Sequence, residues 1–178
     1  NDNGIASVVN PETGIMQEPH QGLQKAFQMS GISVDVVSTL PANLEEYDIV
    51  VTTMGCYCLS WGQTPPGTVS VTDQARLVDY LINNNGNLYI ESVNLGTDHR
   101  DGELIDLIGL KLDSDGIEDE FDGISGVNDT LLAQIDIQYD GGDSPQFSID
   151  RMIPTDSEEL YRSDDGYGRM FLTDAGQS

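Results

Sequence analysis

Two cysteines and two histidines are the residues of this sequence that could supply nucleophilic catalysis. Cys56 and Cys58 lie in one short loop with Trp61, and the histidines are His20 and His99. A thiol beside an imidazole forms the nucleophile and base of a cysteine hydrolase when the two come within hydrogen-bond distance. Two buried thiols at the end of a strand, or a Cys56–Cys58 disulfide in an oxidising compartment, are the structural alternative, which we favour. Two cysteines and two distant histidines provide too few soft ligands for us to expect a zinc site.

The acidic segment 111–122 matches part of a calcium-binding loop. Hard cations take several oxygen ligands from alternating positions around a glycine turn. Gly116 stands at the sixth place of such a loop, and carboxylates stand at the third, fifth, ninth and twelfth places: Asp113, Asp115, Asp119 and Asp122. The first place holds Lys111, where these loops have aspartate, and the twelfth holds Asp instead of Glu. A solvated acidic loop is the default interpretation, and a bound Ca²⁺ is the alternative.

The charge of the chain restricts its partners. The 178 residues include 31 Asp and Glu against 7 Lys and Arg, which gives a formal net charge of -24. We expect no nucleic-acid partner, because binding DNA or RNA needs a clustered basic surface, and we expect no insertion into an anionic membrane. No apolar run approaches the roughly 20 residues of a membrane span. General solubility is the default interpretation of this charge. The alternatives are cation binding and a saline external medium, where salt screens the self-repulsion.

The first two thirds of the sequence alternate strand-like and helix-like segments. The expected strands are 5–9, 32–36, 47–54 and 87–92, and the expected helices are 18–30, 70–82 and 102–110. Ser70 and Asp73 form a capping box at the start of the second helix. Strands that alternate with helices indicate right-handed crossovers, and the sequence therefore predicts an α/β fold: a three-layer, doubly wound, mostly parallel sheet.

The last third of the sequence has a different pattern. Short strand candidates follow one another without helices between them, at 135–139, 146–150, 159–162 and 168–172. Because this part has few apolar residues for a core of its own, we expect a β-rich C-terminal extension instead of a second domain. The predicted organisation is one domain over 1–178, with an α/β part at 1–112 and the extension at 113–178.

Three consecutive segments carry a resemblance to a known kind of module. They read LEEYDIVV at 44–51, VTDQARLVDYL at 71–81 and NGNLYIE at 85–91, and the likeness continues at 123–127 and 150–154. This succession resembles a bacterial extracellular module with a class I glutamine amidotransferase-like, flavodoxin-like fold, found in large secreted proteins that include type IX secretion cargo. The resemblance implies a secreted or cell-surface location. It also implies a further strand beyond Phe171, so that the chain ends early and leaves an open sheet edge to a protein partner or to neighbouring copies of itself.

The amidotransferase chemistry that the resemblance brings to mind is not expected here. Those enzymes present a cysteine on a glycine-flanked elbow, and the matching place holds Ser92 without flanking glycines. Neither histidine belongs to a His-x-Glu pair, and the loop at 10–17 is not a phosphate cradle, so no flavin or nucleotide is expected. The leading hypothesis is a non-catalytic structural, adhesive or assembly module. The alternatives are a Cys-dependent hydrolase or amidotransferase relative with its site in the 55–62 loop, and a calcium-stabilised binding module.

Overall fold

The computed structural model of the protein describes residues 8–9, 13–17, 19–54, 69–117, 122–138 and 149–175. The chain forms two compact units, Asn1–Val93 and Asn94–Ser178, and each is described by itself. The single domain expected over 1–178 stays a prediction. Among the described residues, no helix is both long enough and apolar enough to cross a membrane.

Unit 1 contains two small sheets and two helices in its described part. Strands β1 (Val8–Val9) and β2 (Met16–Gln17) pair antiparallel and are followed by helix α1 (Pro19–Met29). Strand β3 (Ile49–Thr53), helix α2 (Val71–Asn83) and strand β4 (Asn87–Glu91) come next. β3 and β4 pair in parallel, with Ile49 opposite Asn87 and Thr53 opposite Glu91. The predicted helices at 18–30 and 70–82 and the predicted strands at 47–54 and 87–92 are therefore confirmed.

Helix α2 follows directly from its sequence. The Ser70 hydroxyl accepts a hydrogen bond from the Asp73 amide at 3.1 Å and caps the first turn. The buried side of the helix consists of side chains at helical spacing: Leu77, Val78, Tyr80 and Leu81. The Tyr80 hydroxyl donates to the Tyr47 carbonyl at 2.8 Å, which fixes the helix to the segment that leads into β3.

The alternating segment 32–36 is not a strand, so that prediction is wrong. Residues 32–37 carry no strand assignment, although their sequence alternates apolar and polar side chains. Among the described residues β3 pairs with β4 alone, and 32–37 belongs to no sheet. A strand exists only when a neighbour accepts its backbone hydrogen bonds, which the alternation of side chains does not guarantee.

Unit 2 combines two short helices with an antiparallel sheet. The helices are α3 (Leu95–His99) and α4 (Glu103–Leu107). The strands are β5 (Leu110–Ser114), β6 (Gly123–Gly126), β7 (Asp136–Gln138), β8 (Arg151–Pro154), β9 (Glu158–Ser163) and β10 (Gly168–Leu172). In the described part of the unit they form one sheet in the order β5-β8-β10-β9-β6-β7. Leu104 and Ile105 of α4 are fully buried, and Leu110, Met152 and Leu160 add buried side chains from the strands.

The predicted doubly wound, mostly parallel α/β sheet is wrong, and so is the flavodoxin-like architecture that the resemblance implied. The described strands lie mostly in the six-stranded sheet, whose neighbours all pair antiparallel. Among the described strands β3 and β4 are the one pair that pairs in parallel, and α2 lies between them in the sequence. A doubly wound sheet requires strand–helix–strand units in succession, whereas among the described residues after 109 no helix lies between the strands.

The remaining predictions for unit 2 concern one helix and four strands. The expected helix at 102–110 ends early, because Gly109 takes a φ of 67° and Leu110 begins β5. The strands expected at 135–139, 159–162 and 168–172 are confirmed as β7, β9 and β10. Of the strand expected at 146–150, the described residues 149 and 150 are not in a strand and the rest lies outside the described ranges.

Candidate functional site

The residues predicted for nucleophilic chemistry are distributed over both units. Cys56 and Cys58 lie outside the described residues. His20 is on α1 and Ser92 directly follows β4, both in unit 1, whereas His99 ends α3 in unit 2. His99 is buried, and this burial lowers the pKa of its imidazole and favours the neutral ring. The catalytic set stays a prediction.

The carboxylates of the predicted calcium loop are described in part. Asp113 lies on β5, Asp115 follows that strand, Asp122 precedes β6, and Asp119 is outside the described ranges. Asp113 Oδ2 accepts a hydrogen bond from the Tyr167 hydroxyl at 3.2 Å. No three His, Cys, Asp or Glu side chains among the described residues form a group that could hold a metal ion. Calcium binding stays a prediction.

A buried carboxylate in unit 2 connects the start of β8 to helix α3. Asp150 is 3% exposed, and its two carboxylate oxygens accept from the Thr97 amide at 2.7 Å and the Thr97 hydroxyl at 2.6 Å. Burial raises the pKa of Asp150, and the Thr97 hydrogen bonds oppose that rise without cancelling it. Burial, followed by the charge of Asp150, also raises the pKa of Asp98. Asp150 therefore holds α3 at the cost of a desolvated charge.

A buried ion pair lies in the same unit, at the turn between β9 and β10. Arg169 Nη2 is 2.8 Å from Asp165 Oδ2, and their side chains are 5% and 9% exposed. Arg169 also donates to the Ser163 hydroxyl at 2.8 Å and to the carbonyls of Ile149 and Asp150 at 3.2 and 3.1 Å. The Ser163 hydroxyl in turn donates to Asp165 Oδ1. This Arg169 network uses one guanidinium to fix the β9–β10 turn and the backbone before β8.

Unit 1 contains a cleft of about 130 Å³, which we call the α1–β3 cleft. It lies between α1, the segment 32–37 and β3. Its apolar walls are formed by Leu23, Phe27, Ile32, Val34, Val36, Val37, Ile49 and Val51, and its polar lining includes His20, Gln24, Ser33, Asp35 and Thr53. At this cleft the structure places a predicted site residue, His20, against a concave surface of described residues.

Comparison with models of protein families, with curated proteins and with solved structures finds no match for this chain. The resemblance to an amidotransferase-like extracellular module therefore stays a prediction.

Sequence reasoning missed Asp150, the Arg169 network and the α1–β3 cleft. Asp165 and Arg169 stand four residues apart across the turn Asp164–Gly166, which is a local signal for an ion pair but not for its burial. Asp150 meets Thr97 across 53 positions, and no local pattern connects them. The cleft follows from the failure of 32–37 to pair with β3, which the alternation of its side chains does not reveal.

Proposed function

We propose that the chain is a non-catalytic structural or assembly module of a secreted or surface-exposed bacterial protein. The observation that carries this proposal is the Arg169 network of unit 2. Arg169, Asp165 and Ser163 use their buried polar atoms to hold one another and the backbone around them. Asp150 is likewise occupied by the Thr97 amide and hydroxyl. Polar groups committed to the architecture in this way serve a scaffold.

The composition supports the external location in this proposal. A net charge of -24 keeps the surface solvated. The chain contains 21 Asp and only two Lys, Lys25 and Lys111. Salt screens such a surface outside the cell, where ionic strength is high in saline habitats. The resemblance of 44–51, 71–81 and 85–91 to an extracellular module points to the same location.

The test is to look for hydrolysis and to ask whether one residue carries it. Purified full-length protein is assayed on a panel of aryl esters, peptide amides and glutamine. The single variants are Cys56→Ser, Cys58→Ser, Ser92→Ala and His99→Gln, with Ser125→Ala on the exposed side of β6 as the matched control. We expect no hydrolysis by the wild-type protein, by the four variants or by the control. The substitutions should change only the free energy of unfolding. Hydrolysis that disappears with one of the four substitutions would overturn the proposal.

Thiol reactivity provides a second, independent readout. The intact mass of the non-reduced protein is measured before and after mild alkylation at neutral pH, with separate rates for Cys56 and Cys58. A bridge, or thiols that react only on unfolding, agrees with a structural role. A thiol alkylated far faster than free cysteine has a depressed pKa and would favour the cysteine-hydrolase alternative instead.

A further inference from the structure

The α1–β3 cleft has a β-strand on one side and the segment 32–37 on the other. β3 forms one side and pairs with β4 on its other edge alone, among the residues that the structure describes. Segment 32–37 forms the second side and belongs to no sheet of the described residues. An extended chain with an open edge is a template for the hydrogen bonds of another strand. The cleft therefore combines a concave surface with a backbone edge that can pair.

The β3 residues that line the cleft repeat at the spacing of a strand: Ile49, Val51 and Thr53. On the opposite side all six residues of 32–37 line the cleft, and the apolar ones are Ile32, Val34, Val36 and Val37. Three of them keep a large exposed fraction: 48% for Ile32, 48% for Val36 and 42% for Ile49. Because side chains of an extended chain alternate between faces, an inserted strand with apolar residues at every second position would match this lining. Covering these branched side chains would remove an exposed apolar patch from water.

Charge determines which strand fits. Unit 1 carries ten acidic residues and two basic ones, Lys25 and Arg76, and Asp35 lines the cleft itself. A second copy would bring another chain of net charge -24 to this surface, which like-charge repulsion opposes. A strand flanked by Lys or Arg would instead be attracted to it.

We propose that the α1–β3 cleft binds an extended segment of a partner protein, apolar at alternate positions and flanked by basic residues. This segment adds as a strand to the edge of β3 that pairs with no strand among the described residues. This is the mode of recognition in which backbone hydrogen bonds give affinity and alternate side chains give specificity. The inference rests on the proposed function, because it names the partner surface of the assembly module.

The experiment uses a synthetic peptide as the probe. In this peptide valine alternates with threonine, and arginine stands at both ends; it is added to the isotopically labelled full chain. We expect chemical-shift changes and slower amide exchange in 33–37 and 49–53, and we expect an acidic version with glutamate at both ends to bind at least about tenfold more weakly. Methylation of every second peptide amide should abolish binding, because strand addition needs those donors.

Variants of the protein test the location. Val36→Gln and Ile49→Gln replace exposed apolar side chains that line the cleft, so both should fold and should weaken peptide binding by about tenfold or more. Ile82→Gln on α2 is the matched control: Ile82 is also an exposed apolar residue but does not line the cleft, and this variant should bind as the wild type does.

Four results would overturn the inference. The first is equal binding of the peptide to Ile49→Gln and to the wild type, and the second is chemical-shift changes that lie outside the cleft. The third is absence of peptide binding while the β3 amides exchange rapidly. The fourth is slow exchange of those amides in the free monomer, which would mean that this chain already covers the edge of β3. Protection that appears only with dimer formation would replace the basic partner by a second copy. None of these results affects the proposed non-catalytic function, which the hydrolysis assays decide separately.

Discussion

The side chains of Arg169 and Asp165 illustrate what buried charge does in this protein. Removing two ions from water is costly, and their attraction compensates only when the remaining hydrogen-bonding groups are also satisfied. Here the guanidinium bonds Ser163 and two backbone carbonyls as well as Asp165, so its donors have partners in the interior. The pair is therefore held in one geometry. Loss of one partner would leave the other charge buried and unpaired, which strongly destabilises the fold.

Arg169→Met should destabilise unit 2 strongly. The substitution leaves the Asp165 carboxylate buried without its cation and leaves the carbonyls of Ile149 and Asp150 without their donor, so we expect a loss of about 3 to 5 kcal/mol in the free energy of unfolding. Urea denaturation measures the loss. The matched control is Arg162→Met, since the Arg162 side chain is 56% exposed in its pair with Glu159, and the expected cost is below about 1 kcal/mol. Equal losses in the two variants would show that the Arg169 network is solvated.

Asp150 should give the stability of unit 2 a distinctive pH dependence. Its pKa is raised in the fold, chiefly by burial, so the folded chain holds this proton more tightly than the unfolded chain does. Its contribution is complete below the ordinary carboxyl pKa of 3.8 and is lost as the pH rises through the folded pKa. The free energy of unfolding should therefore increase as the pH falls through the folded pKa towards 3.8. For every pH unit by which the folded pKa exceeds 3.8, the free energy of unfolding gains about 1.4 kcal/mol at low pH.

Asp150→Asn tests this dependence, because the amide imitates the uncharged carboxyl group. In urea denaturation the variant should show a smaller increase as the pH falls from neutral through the folded pKa of Asp150 to 3.8. The Asp98 pKa should fall in an NMR titration because the charge beside it is gone. Asp136→Asn, on exposed β7, controls for the change of one net charge. Buried His99 works in the opposite direction, losing stability as the pH falls through its lowered pKa, but it is common to both chains and cancels in the difference. An unchanged slope would contradict the role of Asp150.

At the scale of elements, local signals sufficed where an element carries its own boundary. Helix α2 could be predicted because Ser70 caps it and Leu77, Val78 and Leu81 repeat at helical spacing. Strands β3 and β4 could be predicted from short runs of apolar and branched residues. These elements need little information from the rest of the chain.

Strand pairing could not be predicted in the same way. β5 pairs with β8, which is distant in the sequence, and Leu110 lies opposite Pro154. The residues near Leu110 contain no signal that predicts this partner. The apolar run up to Leu110 continues a helical pattern, and it is Gly109, with a φ of 67°, that ends the helix. The segment 32–36 shows the reverse error, since it has the pattern of a strand and lacks a partner among the described residues. In both segments, pairing with residues distant in the sequence determines whether a strand forms. Such pairing also determines the fold class and the location of the α1–β3 cleft.

The β6–β7 connection provides a test of one such close approach. A Cβ added at Gly126 would overlap the Leu132 carbonyl, which also accepts from the Ile135 amide at 3.0 Å and so cannot move freely. Gly126→Ala should therefore cost at least about 1 to 3 kcal/mol, the usual range for overpacking. Gly123→Ala on the same strand is the control, because the nearest atom to its added Cβ would be 3.9 Å away. Thermal unfolding compares the two, and equal melting temperatures would show that the loop yields.

At the scale of the whole molecule, the acidic surface opposes the compact state. A net charge of -24 concentrates like charges when the chain folds, and the energy of their repulsion depends on screening. The Debye length falls from about 30 Å at 0.01 M salt to about 10 Å at 0.1 M. Salt should therefore stabilise this protein through charge alone, which fits a module proposed to work outside the cell.

Raising NaCl from about 0.01 M to about 0.1 M should raise the Tm by about 2 to 4 °C for each kcal/mol of repulsion that is screened. Scanning calorimetry measures the shift. A variant with Asp129→Asn, Asp136→Asn and Glu158→Gln, all exposed, lowers the charge from -24 to -21 and should gain less from salt, because less repulsion remains to be screened. A flat Tm in both proteins would contradict the screening argument. At equal ionic strength CaCl₂ separates the two roles of cations: a rise equal to that with MgCl₂ reflects charge alone, whereas a larger, chelator-sensitive rise would support the calcium loop predicted over 111–122.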